Sequence, residues 1–276
     1  MSDQASKALA FRALHTRSGA FLIPNPWDAG TAKILTHLGF EALATTSAGL
    51  AFALGRNDGS ASREETLANA RTIVQATDLP VSADLENGFG HTPDKVAETI
   101  QLAASAGLVG GSIEDATGDQ DKPIYDLNLA AERISAAVEA ACGQNIHFTL
   151  TARAENFLHG RPDLDDTIER LQAFEKAGAD VLYAPGLPSL DAIREVCSAV
   201  SRPVNVVAGL SGPAFSLKQL EDAGVKRVSV GSSLSRLALA AVAGAAREMR
   251  NFGTFDFARD AFPSAEINKL MKENPR

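Results

Sequence analysis

Cysteine is scarce in this sequence. The chain has only Cys142 and Cys197, each within a helical pattern and without a CxxC motif or a nearby group of histidines. This spacing excludes a disulfide framework and gives no sign of a zinc site. We expect both thiols to be buried and chemically inert, as free cysteines usually are.

Positive charge and aromatic side chains are also sparse. The net charge is -8, no block of lysines and arginines occurs, and only 6% of the residues are aromatic. A nucleic-acid surface needs clustered positive charge, so we expect no nucleic-acid partner. An anionic substrate must then be held locally, by a metal ion, an arginine or backbone N–H groups.

Long apolar runs are missing as well. No segment is apolar over a length that would cross a bilayer. The first 19 residues mix both signs of charge and lack the apolar core and the cleavage site of a secretion signal. We therefore expect a cytoplasmic protein with no membrane partner.

What the sequence does contain is a repeated unit of helix, glycine and apolar strand. Four amphipathic helical segments end at a glycine and continue into a strand, and these glycines are Gly39, Gly107, Gly178 and Gly224. Glycine ends a helix in the left-handed conformation without a Cβ penalty. Four further apolar strands are predicted at 20–24, 79–85, 146–153 and 202–208. Strands that are apolar on both faces belong to a parallel sheet covered by helices.

Helical patterns separate these eight strands. They lie at 28–38, 62–77, 93–106, 128–142, 163–177, 188–199, 215–222 and 232–250. Eight βα units predict an α/β fold, a (β/α)8 barrel of the TIM type, over residues 1–250. A doubly wound open sheet is the alternative, but the first turn, PNPWDAG, lacks its Gly-rich phosphate loop.

The C-terminal residues, 251–276, lie beyond the last barrel position. They carry Phe252, Phe255, Phe257 and Phe262. Exposed aromatic side chains need a partner surface. We expect this tail to pack either on its own barrel or on a partner subunit.

Charged side chains follow the predicted strands at the end where a barrel of this type carries its chemistry. In chain order they are Asp58, Asp84, Glu86, Glu114, Asp115, Arg153 and Glu155. Because alternate residues of a strand share a face, Asp84 and Glu86 point the same way. The sequence therefore predicts a group of acids around the barrel mouth.

Several carboxylates in one cleft repel one another unless a cation joins them. Oxygen ligands without cysteine or grouped histidine favour Mg²⁺, or Mn²⁺, over zinc. The alternative is that the acids cap helices or pair with lysines. Arg153 is predicted to clamp an anionic group, to pair with Glu155, or to do both. The backbone N–H groups at Ser47, Ala48 and Gly49 are predicted to face the substrate.

Five segments, in this order and at these strand positions, resemble the isocitrate lyase/phosphoenolpyruvate mutase superfamily. They are NPWDAGTAKIL, TTSAGLAFALGRND, SADLENGFG, GSIEDATG and TARAENF, within about residues 20 to 250. The resemblance implies a modified (β/α)8 barrel that binds Mg²⁺ and a 2-oxo acid or its enolate. It also implies a homodimer or homotetramer in which the helix near 232–250 is swapped onto a partner barrel.

The resemblance further implies a role for each acid at the mouth. Asp84 is the direct metal ligand, and Asp58, Glu86 and Glu114 hold the waters of the metal. Asp58 and Glu114 are also expected to be catalytic residues. These roles are expectations carried over by position.

The substrate contacts implied by the resemblance come from other strands. Arg153 is expected on the carboxylate or the developing oxyanion of the substrate, as a binding and catalytic residue. The backbone at Ser47 and Ala48 is expected to bind substrate oxygens. Tyr183 stands where the phosphorus-transferring relatives have a histidine, and it is expected at the substrate.

The loop over residues 115–128 is predicted to be a mobile lid. Isocitrate and methylisocitrate lyases carry a Lys-Lys-Cys-Gly-His type of loop here, but EDATGDQDKPIYDLN contains neither Cys nor His. The phosphorus enzymes have a Lys and an Asn in this loop, and here Lys122 and Asn128 lie in a different context. Lys122, as a catalytic residue, and Tyr125 are the candidates for proton donor or phosphate contact.

These features together predict a Mg²⁺-dependent enzyme that acts on a small 2-oxo or 2-hydroxy carboxylate, similar to oxaloacetate or to an alkylmalate. It would break a C–C bond through an enolate, as a lyase or a decarboxylase. One alternative is a mutase or hydrolase that acts on the P–C bond of phosphonopyruvate or phosphoenolpyruvate. Another is a non-catalytic protein that binds a 2-oxo acid on the same fold.

Overall fold

The computed structural model of the chain, which describes residues 3–209 and 214–272, contains the predicted barrel. Its described residues form one sheet of eight parallel strands. These are β1 (Phe21–Ile23), β2 (Leu43–Ala44), β3 (Val81–Asp84), β4 (Gly110–Glu114), β5 (Thr149–Arg153), β6 (Val181–Tyr183), β7 (Val204–Val207) and β8 (Arg227–Ser229). The prediction of a (β/α)8 fold is confirmed.

The sheet closes on itself almost completely. The spatial order of the strands is β1-β8-β7-β6-β5-β4-β3-β2, so β1 and β2 meet at the last edge. The Ala44 N–H donates to the Pro24 carbonyl across this edge at 3.1 Å. The Asn25 amide adds a hydrogen bond of 3.0 Å to the Thr45 carbonyl. Parallel strands in this order place all eight carboxyl ends at one mouth.

All eight predicted helices are present, with ends that shift by no more than two residues. They are α2 (Ala29–His37), α4 (Arg63–Gln75), α5 (Pro93–Ser105), α6 (Leu127–Cys142), α7 (Leu164–Lys176), α8 (Leu190–Ala199), α9 (Leu217–Asp222) and α10 (Ser233–Phe252). The sequence reading missed α1 (Gln4–Thr16) and α3 (Ser47–Ala53). The tail adds a 3-10 turn (Asp256–Asp260) and α11 (Ser264–Lys272).

The predicted glycine stops explain why these helices end where they do. Gly39, Gly107, Gly178 and Gly224 all have a positive φ, between 83° and 105°. A Cβ at position 224 would also lie 2.9 Å from the Cβ of Cys197. A side chain at these turns would therefore be strained, and at position 224 it would also clash.

Helix α1 closes the end of the barrel opposite the mouth. Its Phe11 is fully buried in a cluster with Phe21 and Ile23 of β1 and with Val109, which directly precedes β4. The Lys7 ammonium donates to the Thr77 carbonyl at 2.8 Å. Helix α1 therefore covers the lower end of the barrel.

Helix α10 and the tail leave much apolar surface uncovered. Within the described residues of α10, Ser235 is the only buried one, and Leu237, Val242 and Phe252 are 67%, 66% and 77% exposed. Helix α11 packs on α2 of the same chain, where the Lys33 ammonium donates to the Met271 carbonyl. Packing of the tail on a partner subunit stays a prediction.

The two cysteines are less buried than the sequence predicts. Both cysteines lie in helices, but Cys142 is exposed and Cys197 is half-buried, so the predicted full burial is wrong. Cys142 is the last residue of α6, where the helix end faces outward.

In the part of the chain that the structure describes, no helix combines the length and apolarity needed to span a membrane. The cytoplasmic location stays a prediction.

Candidate active site

Arg153, at the end of β5, is the centre of the barrel mouth. Its three nitrogens each contact a different carboxylate: Nη1 lies 2.9 Å from Asp84, Nη2 3.0 Å from Glu114 and Nε 2.9 Å from Glu155. The guanidinium carbon lies 5.2 Å from the centre of the Tyr183 ring. The predicted pair with Glu155 is present. These contacts raise the pKa of Arg153, so it stays charged despite its burial.

Asp84 joins Arg153 to the segment after β2. One of its oxygens accepts from Arg153, and the other accepts from the Ser47 hydroxyl at 2.8 Å and the Ser47 N–H at 3.3 Å. Asp58 lies on the same side, and burial, together with the charge of Asp84, raises the pKa of its carboxyl. Asp58, Asp84 and Ser47 therefore form one cluster.

Glu86 projects from a strained turn directly after β3. Its φ is 48°, a left-handed value that a glutamate rarely adopts, and Phe89 in the same turn has a φ of 59°. One oxygen of the Glu86 carboxyl is buried without a hydrogen-bond partner. Burial and the charges of Asp84 and Asp58 raise the pKa of this carboxyl to about 7.

Carboxylates outnumber the cation at this mouth. Arg153 is in contact with Asp84, Glu114 and Glu155, while Glu86 and Asp58 add further negative charge nearby. Burial raises the pKa of Glu114 well above its usual value, even though Arg153 stands beside it. Like charges that share a site disfavour ionisation unless a positive charge is added.

This donor set fits Mg²⁺. Mg²⁺ keeps several waters and accepts only one or two carboxylates directly. In the described chain, no three acidic, histidine or cysteine side chains stand close enough to form an inner ligand cluster. That arrangement suits one direct carboxylate, with the others on bound waters. The unpartnered Glu86 oxygen is a buried acceptor that such a hydrated ion would satisfy.

Two cavities meet at this cluster. The inner cavity, of about 160 Å³, runs from Asp84 and Arg153 down the barrel axis to Arg227. The outer cavity, of about 550 Å³, lies between the acids and the loop over 115–128, and Glu86, Glu114 and Gly118 line it. Ser47, Ala48 and Tyr183 line the inner cavity, and their contact with a substrate stays a prediction.

Other predicted site residues lie elsewhere. Lys122 is exposed, and it lines neither the inner nor the outer cavity. Its loop forms a small hairpin, in which Ala116 pairs with Ile124. Gly49 is buried in α3, where its N–H donates to the Thr46 hydroxyl at 3.2 Å. A Cβ at Gly49 would lie 3.0 Å from the Trp27 Cβ. The N–H of Gly49 is therefore used to cap the start of α3.

The remaining lid residues have structural partners. The Tyr125 hydroxyl lies 2.7 Å from His91 Nδ1. Asp115 is buried in an ion pair of 3.0 Å with Arg170, so its partner is an arginine inside the protein and not a lysine at the rim. Burial nevertheless raises the pKa of Asp115 to about 6. Both residues fix the base of the hairpin.

The sequence reading missed a polar layer below the mouth. Ser82, Ser112, Asn205, Arg227 and Ser229 line the inner cavity. The sequence does contain a signal for this layer. Alternate side chains of a strand lie on the same face, and Arg227 and Ser229 therefore share one face of an otherwise apolar strand. The pattern of charged residues at strand ends does not point to them, because they lie further down inside the barrel.

Comparisons with known proteins match most of the chain. The phosphoenolpyruvate phosphomutase family model matches residues 11–250. A 2-methylisocitrate lyase of Escherichia coli K12 is 30% identical over 230 residues, which cover 80% of this chain and 76% of the relative.

Solved structures extend the likeness over nearly the whole chain. A protein of Burkholderia cenocepacia J2315, provisionally named a lyase/mutase, is 60% identical, with a TM-score of 0.96 and coverage of 98% of this chain and 97% of the other. A 2,3-dimethylmalate lyase is 26% identical, with a TM-score of 0.86 and coverage of 98% and 95%. The chain therefore belongs to the phosphoenolpyruvate phosphomutase family, within the isocitrate lyase/phosphoenolpyruvate mutase superfamily.

Proposed function

We propose that the protein is a Mg²⁺-dependent enzyme that breaks a C–C bond of a small 2-oxo or 2-hydroxy acid and passes through an enolate. The observation that carries this proposal is the ring of acids around Arg153, which is one guanidinium in contact with three carboxylates. Because the family consists of lyases, hydrolases and mutases, membership shows that the chain is an enzyme. Membership alone does not say which of these reactions it catalyses.

The cation would be held by Asp84 directly and by Asp58, Glu86 and Glu114 through water. When bound, Mg²⁺ supplies Lewis-acid stabilisation of the charge that develops on the substrate oxygens as the bond breaks. The electron pair of the broken C–C bond remains on the enolate fragment, which later takes up a proton. A 2-oxo diacid releases CO2 as the other fragment, whereas a 2-hydroxy acid gives up its hydroxyl proton to a base and leaves a carbonyl fragment.

The side chains of the protein orient the substrate. Arg153 lies between the acids and Tyr183. When the cation neutralises Asp84, the planar guanidinium of Arg153 becomes free to bind the head carboxylate of a substrate. Ser47 holds Asp84 in place through its hydroxyl and N–H. The closed lower end of the barrel keeps bulk water away from below.

Two named relatives support C–C chemistry, since a 2-methylisocitrate lyase and a 2,3-dimethylmalate lyase are both lyases. The cysteine loop of the isocitrate and methylisocitrate lyases is absent here, which favours a shorter alkylmalate-like or oxaloacetate-like acid. The role of Lys122 as a proton donor stays a prediction. Its side chain lines neither the inner nor the outer cavity.

The test offers the protein oxaloacetate, an alkylmalate and phosphonopyruvate, and monitors product formation by proton and phosphorus NMR. We expect cleavage of oxaloacetate or of an alkylmalate with Mg²⁺, and no cleavage with EDTA. Loss of the P–C signal of phosphonopyruvate instead would establish the phosphorus alternative. Tight binding of a 2-oxo acid without any product would establish the non-catalytic alternative.

We further propose that the protein is a homodimer, or a dimer of dimers, with α10 exchanged between subunits. In a (β/α)8 barrel the eighth helix covers β8 and β1, but here Leu22 on the outer face of β1 is 39% exposed. A groove of about 220 Å³ lies there, with Phe40 and Leu217 in its walls. The bare apolar row of α10 is the matching surface that a second copy offers.

Light scattering should therefore return a mass of two or four chains of 28.9 kDa. The substitution Val242→Glu, in the middle of the apolar row, should shift the protein towards the monomer, because it would bury a charge in the interface. The same change at the exposed Gln101 of α5 is the control and should leave the mass unchanged. A monomeric wild-type protein would contradict the exchange.

A further inference from the structure

Arg227 is a buried cation with only neutral partners. It is the first residue of β8, its side chain turns into the barrel, and it is 5% exposed. Its Nε donates to the Asn205 amide oxygen at 2.8 Å, and its Nη2 donates to the Thr151 hydroxyl at 3.0 Å. In the described ranges of the chain, no carboxylate forms an ion pair with it.

The third partner of Arg227 is also uncharged. Nη1 lies 3.5 Å from Nε2 of His15, whose Nδ1 lies 2.9 Å from the Phe11 carbonyl. Burial and the neighbouring Arg227 lower the pKa of His15 to about 3, so this imidazole is neutral. Burial lowers the pKa of Arg227 only to about 10, so the guanidinium is charged at neutral pH.

A buried charge without a counter-ion is costly, and Arg153 shows the usual solution in the same barrel. Arg153 contacts three carboxylates, whereas Arg227 contacts none. Arginine does not relieve such a cost by losing its proton. A small anion that enters the barrel would supply the missing negative charge.

The inner cavity provides the path for such a molecule. Arg227, Asp84 and Arg153 all line this one cavity. Small side chains, among them Ser82, Ser112 and Ser229, leave the axis open where other barrels are filled with bulky branched residues. A volume of about 160 Å³ corresponds to roughly five waters, which is enough for a short organic acid.

We propose that Arg227, with Asn205 and Ser229, forms an anion subsite that binds the second carboxylate of the substrate. The substrate is then a short dicarboxylate that lies along the barrel axis. Its head group lies at the mouth, beside Arg153 and the acids, and its tail points down into the barrel. This inference rests on the proposed function for the head group, but the tail subsite itself requires no metal.

The test compares two acids of equal chain length, malate and 2-hydroxybutyrate, which differ only in a terminal carboxylate against a methyl group. Calorimetry with Mg²⁺ should show that the wild-type protein prefers malate. The substitution Arg227→Met should weaken malate binding by about 10- to 100-fold, the value of a hydrogen bond to a charged group. Binding of 2-hydroxybutyrate should change by less than about threefold.

Two further variants keep this test decisive. Arg227→Lys retains the charge and should restore part of the preference for malate, which a role in folding alone would not predict. Arg63→Met removes an arginine that pairs with Glu98 on the outside of the barrel, and it should leave both affinities unchanged. Equal weakening of both acids in Arg227→Met, or an unchanged affinity for malate, would overturn the proposal.

A metal-free arm separates the subsite from the proposed function. In EDTA, succinate should raise the melting temperature of the wild-type protein but not that of Arg227→Met. If this holds while Mg²⁺ has no effect on malate binding, the subsite stands and the metal-dependent function fails. If phosphate or chloride stabilises the protein through Arg227 while malate has no advantage over 2-hydroxybutyrate, the site holds a free anion and the proposal is overturned.

Discussion

Replacing Asp84 with asparagine should lower kcat/KM by about 10³-fold on any acid that the enzyme cleaves, equivalent to about 4 kcal/mol of transition-state stabilisation. Asparagine has the same shape as aspartate but lacks the charge. That charge is in contact with both Ser47 and Arg153, and we place the cation on it. The measurement is steady-state kinetics at saturating Mg²⁺.

The matched control for this substitution is Asp180→Asn. Asp180 is a partly buried acid at the opposite end of the barrel, where it accepts the Leu150 N–H at 2.8 Å. Asparagine can still accept this hydrogen bond, so the control should retain nearly full activity. Full activity in Asp84→Asn would contradict the assignment of Asp84 as the direct metal ligand.

Replacing Arg153 with methionine should affect both activity and stability. Activity should fall by about 10³-fold, because the substrate loses its charged contact at the mouth. The free energy of unfolding should fall by about 3 kcal/mol, because Asp84, Glu114 and Glu155 lose their common partner. Urea denaturation and steady-state kinetics measure the two effects.

Two other substitutions sharpen the result for Arg153. Arg153→Lys should recover part of the stability but little activity, because an ammonium group cannot reproduce three contacts in the fork geometry. Arg194→Met removes an exposed ion pair with Asp191, and it should change the free energy of unfolding by less than about 1 kcal/mol. An Arg153→Met variant as stable as the wild type would show that the acids do not depend on this guanidinium.

Much of the fold could be predicted because periodic signals reinforced one another along the chain. The apolar strands and the glycines at 39, 107, 178 and 224 fixed all eight βα units. Helix α1 was missed because its segment was weighed only as a secretion signal, although Ala8, Phe11 and Leu14 follow helical spacing. Helix α3 was missed because Gly49 indicated a loop, whereas the glycine is needed there for close packing on Thr46 and Trp27.

The site was predictable at the strand ends but not inside the barrel. Acids at the ends of β3 and β4 were expected to meet, and the structure places Asp84 and Glu114 on the same guanidinium. The strained turn at Glu86 and the neutral surroundings of Arg227 depend on contacts between distant segments. A single sequence does not specify such contacts, because they arise only when the strands are in register.

The central claim is that the acids at the barrel mouth hold one divalent cation. Electron paramagnetic resonance with Mn²⁺ as a substitute for Mg²⁺ tests it most directly, because free and bound Mn²⁺ give distinct signals. We predict one bound Mn²⁺ per chain in the wild-type protein and in Asp180→Asn, and none in Asp84→Asn at the same concentrations. No binding to the wild type, or undiminished binding to Asp84→Asn, would contradict the claim.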